Sequence, residues 1–343
     1  MLRRGWNNMT VTAKMLAAEL KLSESAVSLA LNNKPGVSRE TRKRVLETAK
    51  ARGYDFSRRH TGEKKGSICF AVYKKSGAVV DDTPFFAAVT DGISIACRRA
   101  GYECMIRYFY EDDDLDDQIY SLNLAGFSGV IVLATEMEEV TLARFDRLKA
   151  PLVFLDAYFE RPKYNFILIN NIQGAFMATQ HLIRKCRTQP GYLRSAYSIS
   201  NFEQRADGFY KAIRAAGMST SASPVLRLTP SQEGAYADMK ALLEGGTIPA
   251  KCYFADNDLI ALGVLRALEE AGYRIPGDVS VVGFDDLPAC EYASLSTVMV
   301  PKRFMGETAA ARIIRLIEEK NQQPLKIEVF TQLVRRRSVA GGK

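Results

Sequence analysis

Histidine is scarce: His60 and His181 are the only two in 343 residues. That leaves few general bases for catalysis and few imidazoles for a metal. The six cysteines (Cys69, Cys97, Cys104, Cys186, Cys252 and Cys290) are scattered and form no C-x-x-C pair. Zinc sites and a disulfide framework are therefore disfavoured, and reduced thiols with no metal and no cofactor are expected. No G-x-G-x-x-G, no G-x-x-x-x-G-K-S/T and no G-x-S-x-G occurs. Phosphate-cradling nucleotide loops and a serine nucleophile elbow lose their usual signatures. Apolar runs are short as well. Stretches such as Gly129–Ala134 have strand length, far from the roughly 18–20 residues of a membrane span. No apolar signal core follows the charged start, so a cytoplasmic protein without membrane association is expected.

What is present is an ordinary globular balance, 47% hydrophobic and 25% charged, in a chain long enough for two or three domains. The charge is uneven. Residues 1–66 hold fifteen Lys and Arg against six acids, a formal +9, which leaves −1 for the remainder of a chain of net charge +8. A basic head on a neutral body points to a polyanionic partner for the head alone.

The head has a helical pattern. Thr12 can cap a helix over Ala13–Leu20, with Met15, Leu16 and Leu20 on one face. After Lys21-Leu22-Ser23, Ser23 can cap a second helix, Glu24–Leu31, with Val27, Ala30 and Leu31 inward. Residues 32–36 form a turn cluster, and Ser38 can cap a third helix from Arg39 to about Arg52, stopped by Gly53. Three short helices in about fifty residues make either a small DNA-binding unit or a plain bundle. The tight connection between the first two, with small Ala17 and Ala18, favours DNA.

These residues resemble the head of LacI/GalR-type bacterial repressors: Val11–Ala17, Leu22–Asn32, Val37–Val45 and Gly53-Tyr54 fall at the family's spacing. The resemblance implies that Glu24–Leu31 is the recognition helix in the major groove. It implies Glu24, Ser25 and Leu29 near base edges, and Thr12, Ser23, Ser28 and Asn32 on phosphates. Position 29 departs from the family, where arginine is frequent; leucine offers only apolar contact, for instance to a thymine methyl. Lys21 occupies a turn position where glycine or asparagine is easier. The linker 55–66 is basic and lacks the leucine that, in the family, wedges into the minor groove from a hinge helix. Arg58 and Arg59 can still hold phosphates.

From Ser67 onward, apolar strands alternate with amphipathic helices, the pattern of parallel sheets covered on both faces. One of these helices is expected over Met137–Leu148. The fold class is a small all-α helix-turn-helix head plus an α/β two-lobed body with parallel sheets, which the resemblance implies is periplasmic-binding-protein-like. The resemblance continues through Thr83–Phe86, Asn170–Ala175, Arg205–Phe209, Asp256–Asp258, Gly277–Asp286 and Arg336–Val339. It implies a head at 9–54, a linker at 55–66 and an effector-binding and dimerisation domain at 67–343. Lobe one would take about 67–169 and 301–321, and lobe two about 171–298 and 324–338. The crossovers would lie near Asn170, Val298–Pro301 and Asn321–Pro324.

Carried over by position, Phe85, Phe86, Thr135, Asp156, Arg205, Asn257 and Asp285 would line the effector cleft. Phe86 can offer a platform for a sugar face or flat base, and the polar groups can serve hydroxyls or ring nitrogens. Simpler roles compete: Phe85 as core, Asp256, Asp285 and Asp286 as helix caps, Arg205 as a surface partner of Glu203 or Asp207, and His181 as a packed core residue. The acidic run Glu111–Asp117 reads as a solvated helix start, and Arg335–Arg337 as a surface strand. The whole predicts a homodimeric, effector-controlled repressor on a pseudo-palindromic operator, its effector most simply a sugar. A sugar receptor without DNA and an α/β enzyme on a sugar or nucleoside are the alternatives. No leucine heptad follows Arg337, so a dimer is expected rather than a tetramer.

Overall fold

The computed structural model describes residues 11–31, 36–54, 65–81, 83–161, 163–319 and 321–340. Asn32, Arg58 and Arg59, and with them nearly all of the linker, lie outside the described residues. The chain divides into two compact units, Met1–Lys65 and Gly66–Lys343.

The first unit holds three helices, α1 (Ala13–Leu20), α2 (Glu24–Leu31) and α3 (Arg39–Ala51). Their starts are set by local chemistry. Thr12 Oγ1 accepts from Met15 N at 3.3 Å, Ser23 Oγ from Ala26 N at 3.1 Å and Ser38 Oγ from Thr41 N at 3.1 Å. Each hydroxyl thereby satisfies an orphan amide of the first turn. Lys21 takes the left-handed conformation at φ 52° and closes α1 with its own amide. The core is Leu16, Ala17, Val27, Ala30, Leu31, Val45 and Ala49. Met15 departs from the expected inner face: it is 41% exposed, because Leu16 and Ala17 fill the contact with α2 and α3. Leu29 is half-buried and points toward Gly36, where a Cβ would lie 3.1 Å from Leu29 Cδ1.

The second unit has two six-stranded sheets. Its elements in order begin with β1 (Gly66–Lys74), α4 (Phe85–Arg99), β2 (Tyr102–Tyr110), α5 (Leu115–Ala125), β3 (Gly129–Leu133), α6 (Glu139–Leu142), β4 (Leu152–Leu155) and β5 (Asn165–Ile169). They continue with α7 (Asn171–Cys186), β6 (Gly191–Ser195), α8 (Ser200–Ala215), β7 (Val225–Leu228), α9 (Gln232–Glu244), β8 (Cys252–Ala255), α10 (Asp258–Glu270) and β9 (Ser280–Asp285). They end with α11 (Ala289–Tyr292), β10 (Ser296–Met299), α12 (Lys302–Glu318), β11 (Lys326–Val329) and β12 (Gln332–Val334).

Sheet one runs β11-β5-β4-β3-β1-β2, and sheet two runs β12-β10-β9-β8-β6-β7. All pairings are parallel except β10 with β12. Central strands such as β3 and β8 are buried throughout, as a sheet covered on both faces demands. In lobe one, α4 and α12 meet at glycines. A Cβ on Gly92 would lie 2.1 Å from Arg303 O, and one on Gly306 would lie 2.1 Å from Val89 O. Only glycine allows backbones this close.

The chain passes between lobes at Asn170, between β10 and α12, and between β11 and β12. The first two crossovers fall where expected. The third does not: β11 pairs with β5 in sheet one, so the crossing lies at Phe330–Thr331 rather than Asn321–Pro324. Asn321 and Pro324 form a turn within lobe one, tied there by Asn165 Oδ1, which accepts from Leu325 N at 3.0 Å. The helix expected over Met137–Leu148 is also shorter. Only Glu139–Leu142 is α-helical, and Ala143–Arg147 tightens into a 3₁₀ turn that buries Phe145. No described helix is long and apolar enough to cross a membrane.

Candidate functional site

The carboxyl ends of the parallel strands face each other across the two lobes, the place where open α/β sheets bind ligands. Thr135 follows β3, Asp156 follows β4, Asn257 follows β8 and Asp285 ends β9. The cleft between them is narrow, with a free cavity of only about 30 Å³. Its walls include all seven residues the sequence singled out: Phe85, Phe86, Thr135, Asp156, Arg205, Asn257 and Asp285. Phe85 and Phe86 meet edge to face at 5.0 Å; Phe85 is buried in the core as well, whereas Phe86 is half-buried.

Arg205 organises the lobe-two wall. It is 3% exposed and is no surface partner of Glu203, whose carboxylate pairs with Arg194. Its guanidinium donates to Asn171 Oδ1 at 2.9 Å, to the Asp256 carbonyl, and to Asp285 Oδ1 at 3.2 Å. Its plane lies 3.8 Å over the Phe284 ring. Asp285 therefore serves a buried ion pair and not a helix cap. Asn257 is the residue that caps α10, accepting from Ile260 N at 2.9 Å, which leaves its amide NH₂ for the cleft. Asp256 turns away to Tyr192 and to Ser195 N.

Asp156 organises the opposite wall. Its Oδ2 accepts from Thr135 Oγ1 at 2.6 Å, and its carbonyl accepts from Asn201 Nδ2 of lobe two at 2.9 Å. Its Oδ1 is buried without a hydrogen-bond partner among the described residues. A buried carboxylate oxygen left unpaired is costly and marks the place for a donor. Asp156, Asp285 and Asp286 all hold positive φ, at 68°, 112° and 53°. Backbone strain of this kind concentrates at binding sites.

Three residues went unread in the sequence. Asn201 lies one helical turn before Arg205 on α8, so the i, i+4 spacing was its signal. Lys302, directly after the Pro301 crossover, donates from lobe one to the carbonyls of Asp285 and Asp286 and lies 5.5 Å from the Phe85 ring. Glu136 accepts five backbone amides of residues 75–80 at 2.8–3.1 Å and fixes the loop at the cleft mouth. That mouth widens into a cavity of about 600 Å³, with Val79 and Ile199 shared by both chambers.

Burial sets the protonation of the site. It pushes the carboxyls of Asp156 and Asp256 up to about 6 and Asp258 up to about 7. Asp285 is raised too, with Arg205 opposing the shift. At these carboxyls the folded state holds protons that the unfolded chain has lost, so their contribution to stability rises as pH falls from about 7 toward 4. His181, buried and pushed down to about 4, opposes this below its ordinary 6.5. Asp156→Asn keeps the acceptor for Thr135 and removes the charge. It is expected to raise the melting temperature at pH 7, by up to about 3 kcal/mol in stability, with the gap closing near pH 4. Identical shifts at both pH values would show that Asp156 does not titrate this way.

Among the described residues, no group of three or more His, Cys, Asp or Glu is placed to hold a metal ion. The matching family model is the periplasmic binding protein-like domain, over residues 179–339. The HTH-type transcriptional repressor PurR of Mannheimia succiniciproducens is 30% identical over 336 residues, covering 96% of this chain and 98% of the relative. The PurR repressor of Escherichia coli O139:H28 is 28% identical over 96% of this chain and 97% of its own length. The solved CelR–cellobiose complex superposes with a TM-score of 0.72 over 96% of this chain and 99% of its own, at 24% identity. The lac repressor dimer bound to operator and the anti-inducer ONPF superposes at 0.70 over 97% and 100%, at 21% identity. With near full-length similarity to named repressors on a two-lobed body, the chain belongs to the LacI family of transcriptional regulators.

Proposed function

We propose that this protein is a homodimeric repressor whose head binds a pseudo-palindromic operator and whose interlobe cleft takes a small-molecule effector, a sugar or sugar derivative. The observation that carries the effector reading is the unpaired, buried Asp156 Oδ1 in a cleft that also presents Arg205, Asp285 and the Asn257 amide. Such a mixture of acceptors and donors beside the half-buried Phe86 suits a ring bearing hydroxyls. The cellobiose bound by the CelR structure supports the same chemistry. Residues Thr12, Ser23, Ser25 and Ser28 are exposed on the head, as phosphate or base contacts require. Effector binding would alter the lobe contacts made by Asn201 and Lys302, and through them the fit of two heads to two half-sites.

The effector test is a thermal-shift screen of the body against mono- and disaccharides and nucleobases, followed by titration calorimetry of each hit. A sugar that binds wild type and binds Asp285→Asn at least tenfold more weakly supports the cleft. Equal affinity for both would move the effector site elsewhere.

A second copy has a place to pair. β2 is an edge strand whose Met105, Ile106, Tyr108 and Tyr110 are exposed, Tyr108 to 55%. An exposed apolar edge favours a second chain over solvent. Ile106→Asp with Tyr108→Asp is expected to turn a micromolar dimer into a monomer in sedimentation without lowering the melting temperature of the lobe. A dimer that persists would remove β2 from the interface.

A further inference from the structure

We infer that Glu24 makes the head select cytosine at one fixed position in each operator half-site. This rests on the reading of α2 as the helix that enters the major groove.

The argument starts from what α2 presents. Its outward side chains are Glu24, Ser25 and Ser28, with Leu29 half-buried against Gly36. Between Ser23 and Leu31 there is no Lys, Arg, Asn or Gln. The bidentate readers of guanine and adenine are therefore missing from this helix. Glu24 is exposed in the first turn, where a groove-reading helix meets base edges. It makes no hydrogen bond or ion pair among the described residues, unlike Glu19, which is paired with Arg52 at 2.8 Å, or Glu47, which lies 4.0 Å from Lys43. The cations of the described head sit instead on and beside the other two helices: Lys14 and Lys21, then Arg39, Arg42, Lys43, Arg44, Lys50 and Arg52. Phosphate attraction and base reading are thus on different elements, with a lone carboxylate on the reading one.

A carboxylate pressed into a polyanion's groove must accept a hydrogen bond or be expelled. Guanine offers only the acceptors N7 and O6 there, and thymine offers O4 and a methyl. Adenine offers an N6 amino group, but N7 of the same base repels the second carboxylate oxygen. Cytosine offers the N4 amino group with no acceptor of its own beside it. Glu24 therefore favours cytosine and rejects guanine and thymine. The competing account gives Glu24 only a favourable interaction with the α2 dipole. It predicts a slightly less stable head and unchanged base preference on substitution.

In vitro selection from a randomised duplex library, using the full chain, separates the two. Wild type is expected to enrich a two-fold symmetric site with one invariant cytosine per half-site, and any other base there should weaken binding about tenfold or more. Glu24→Gln should enrich adenine at that position, since glutamine pairs bidentately with adenine. Glu24→Ala should lose preference at that position alone. If both variants enrich the wild-type sequence at every position, Glu24 reads no base and the inference is overturned. A wild-type chain that enriches no sequence would overturn the operator-binding role itself, a distinct result.

Discussion

Arg205→Ala is expected to cost the body about 3–5 kcal/mol, a drop of roughly 6–20 °C in melting temperature at the 2–4 °C per kcal/mol of larger domains. The guanidinium is 3% exposed, and four groups depend on it: Asn171, the Asp256 carbonyl, Asp285 and the Phe284 face. Its removal leaves Asp285 buried beside Asp156 with no guanidinium to offset either charge. Burial already raises both carboxyls, so each would be driven further toward the protonated form. The loss should accordingly shrink at low pH, where those carboxyls are neutral. Arg205→Lys restores a charge but neither the fork nor the stacking, and should recover only part. Differential scanning calorimetry of the two variants at pH 5 and pH 7 reads both effects. A loss below about 1 kcal/mol at pH 7 would mean that water replaces the guanidinium and that the cleft is wetter than its walls imply.

Operator affinity should fall steeply with salt. The head's formal +9 charge lies on side chains such as Lys14, Arg39, Lys43 and Lys50 that are exposed in the described helices. Each phosphate they neutralise releases counterions, giving a log–log slope of about −0.9 per contact. Six to ten contacts from two heads would lower affinity about 10³–10⁵-fold between 50 and 200 mM salt. Removing one exposed cation in each head, as in Lys43→Ala, should flatten the slope by about one unit per lost contact. Fluorescence anisotropy on the enriched duplex supplies both numbers. A slope near zero would show that the head's charge is not spent on phosphate.

Much of this was legible in the residues. The bounds of α1 and α2 follow from Thr12 and Ser23 as caps and from the left-handed stop at Lys21, all local chemistry. The seven cleft residues, placed by the resemblance, come together because Thr135, Asp156, Asn257 and Asp285 stand at strand ends, while Phe85 and Phe86 open α4 and Arg205 lies on α8. What escaped depended on distant partners. β11 and β12 are only four and three residues long and carry the exposed polar Lys326, Glu328 and Gln332, so only pairing with β5 and β10 makes them strands. The third crossover was misplaced for that reason. Lys302 carries no local sign that its ammonium reaches the carbonyls of Asp285 and Asp286 in the other lobe. Glu136 reads as one acid among several, and only the folded loop gathers five amides around it.

The division of labour between head and body is tested most directly by binding the enriched duplex to the full chain and to residues 66–343 at the same salt concentration, with a thermal-shift titration of the effector hit on both. The full chain should bind the duplex in a salt-dependent way, the body should show no binding at concentrations a thousandfold higher, and the effector should shift the melting of both alike. Tight duplex binding by residues 66–343 alone would contradict the account.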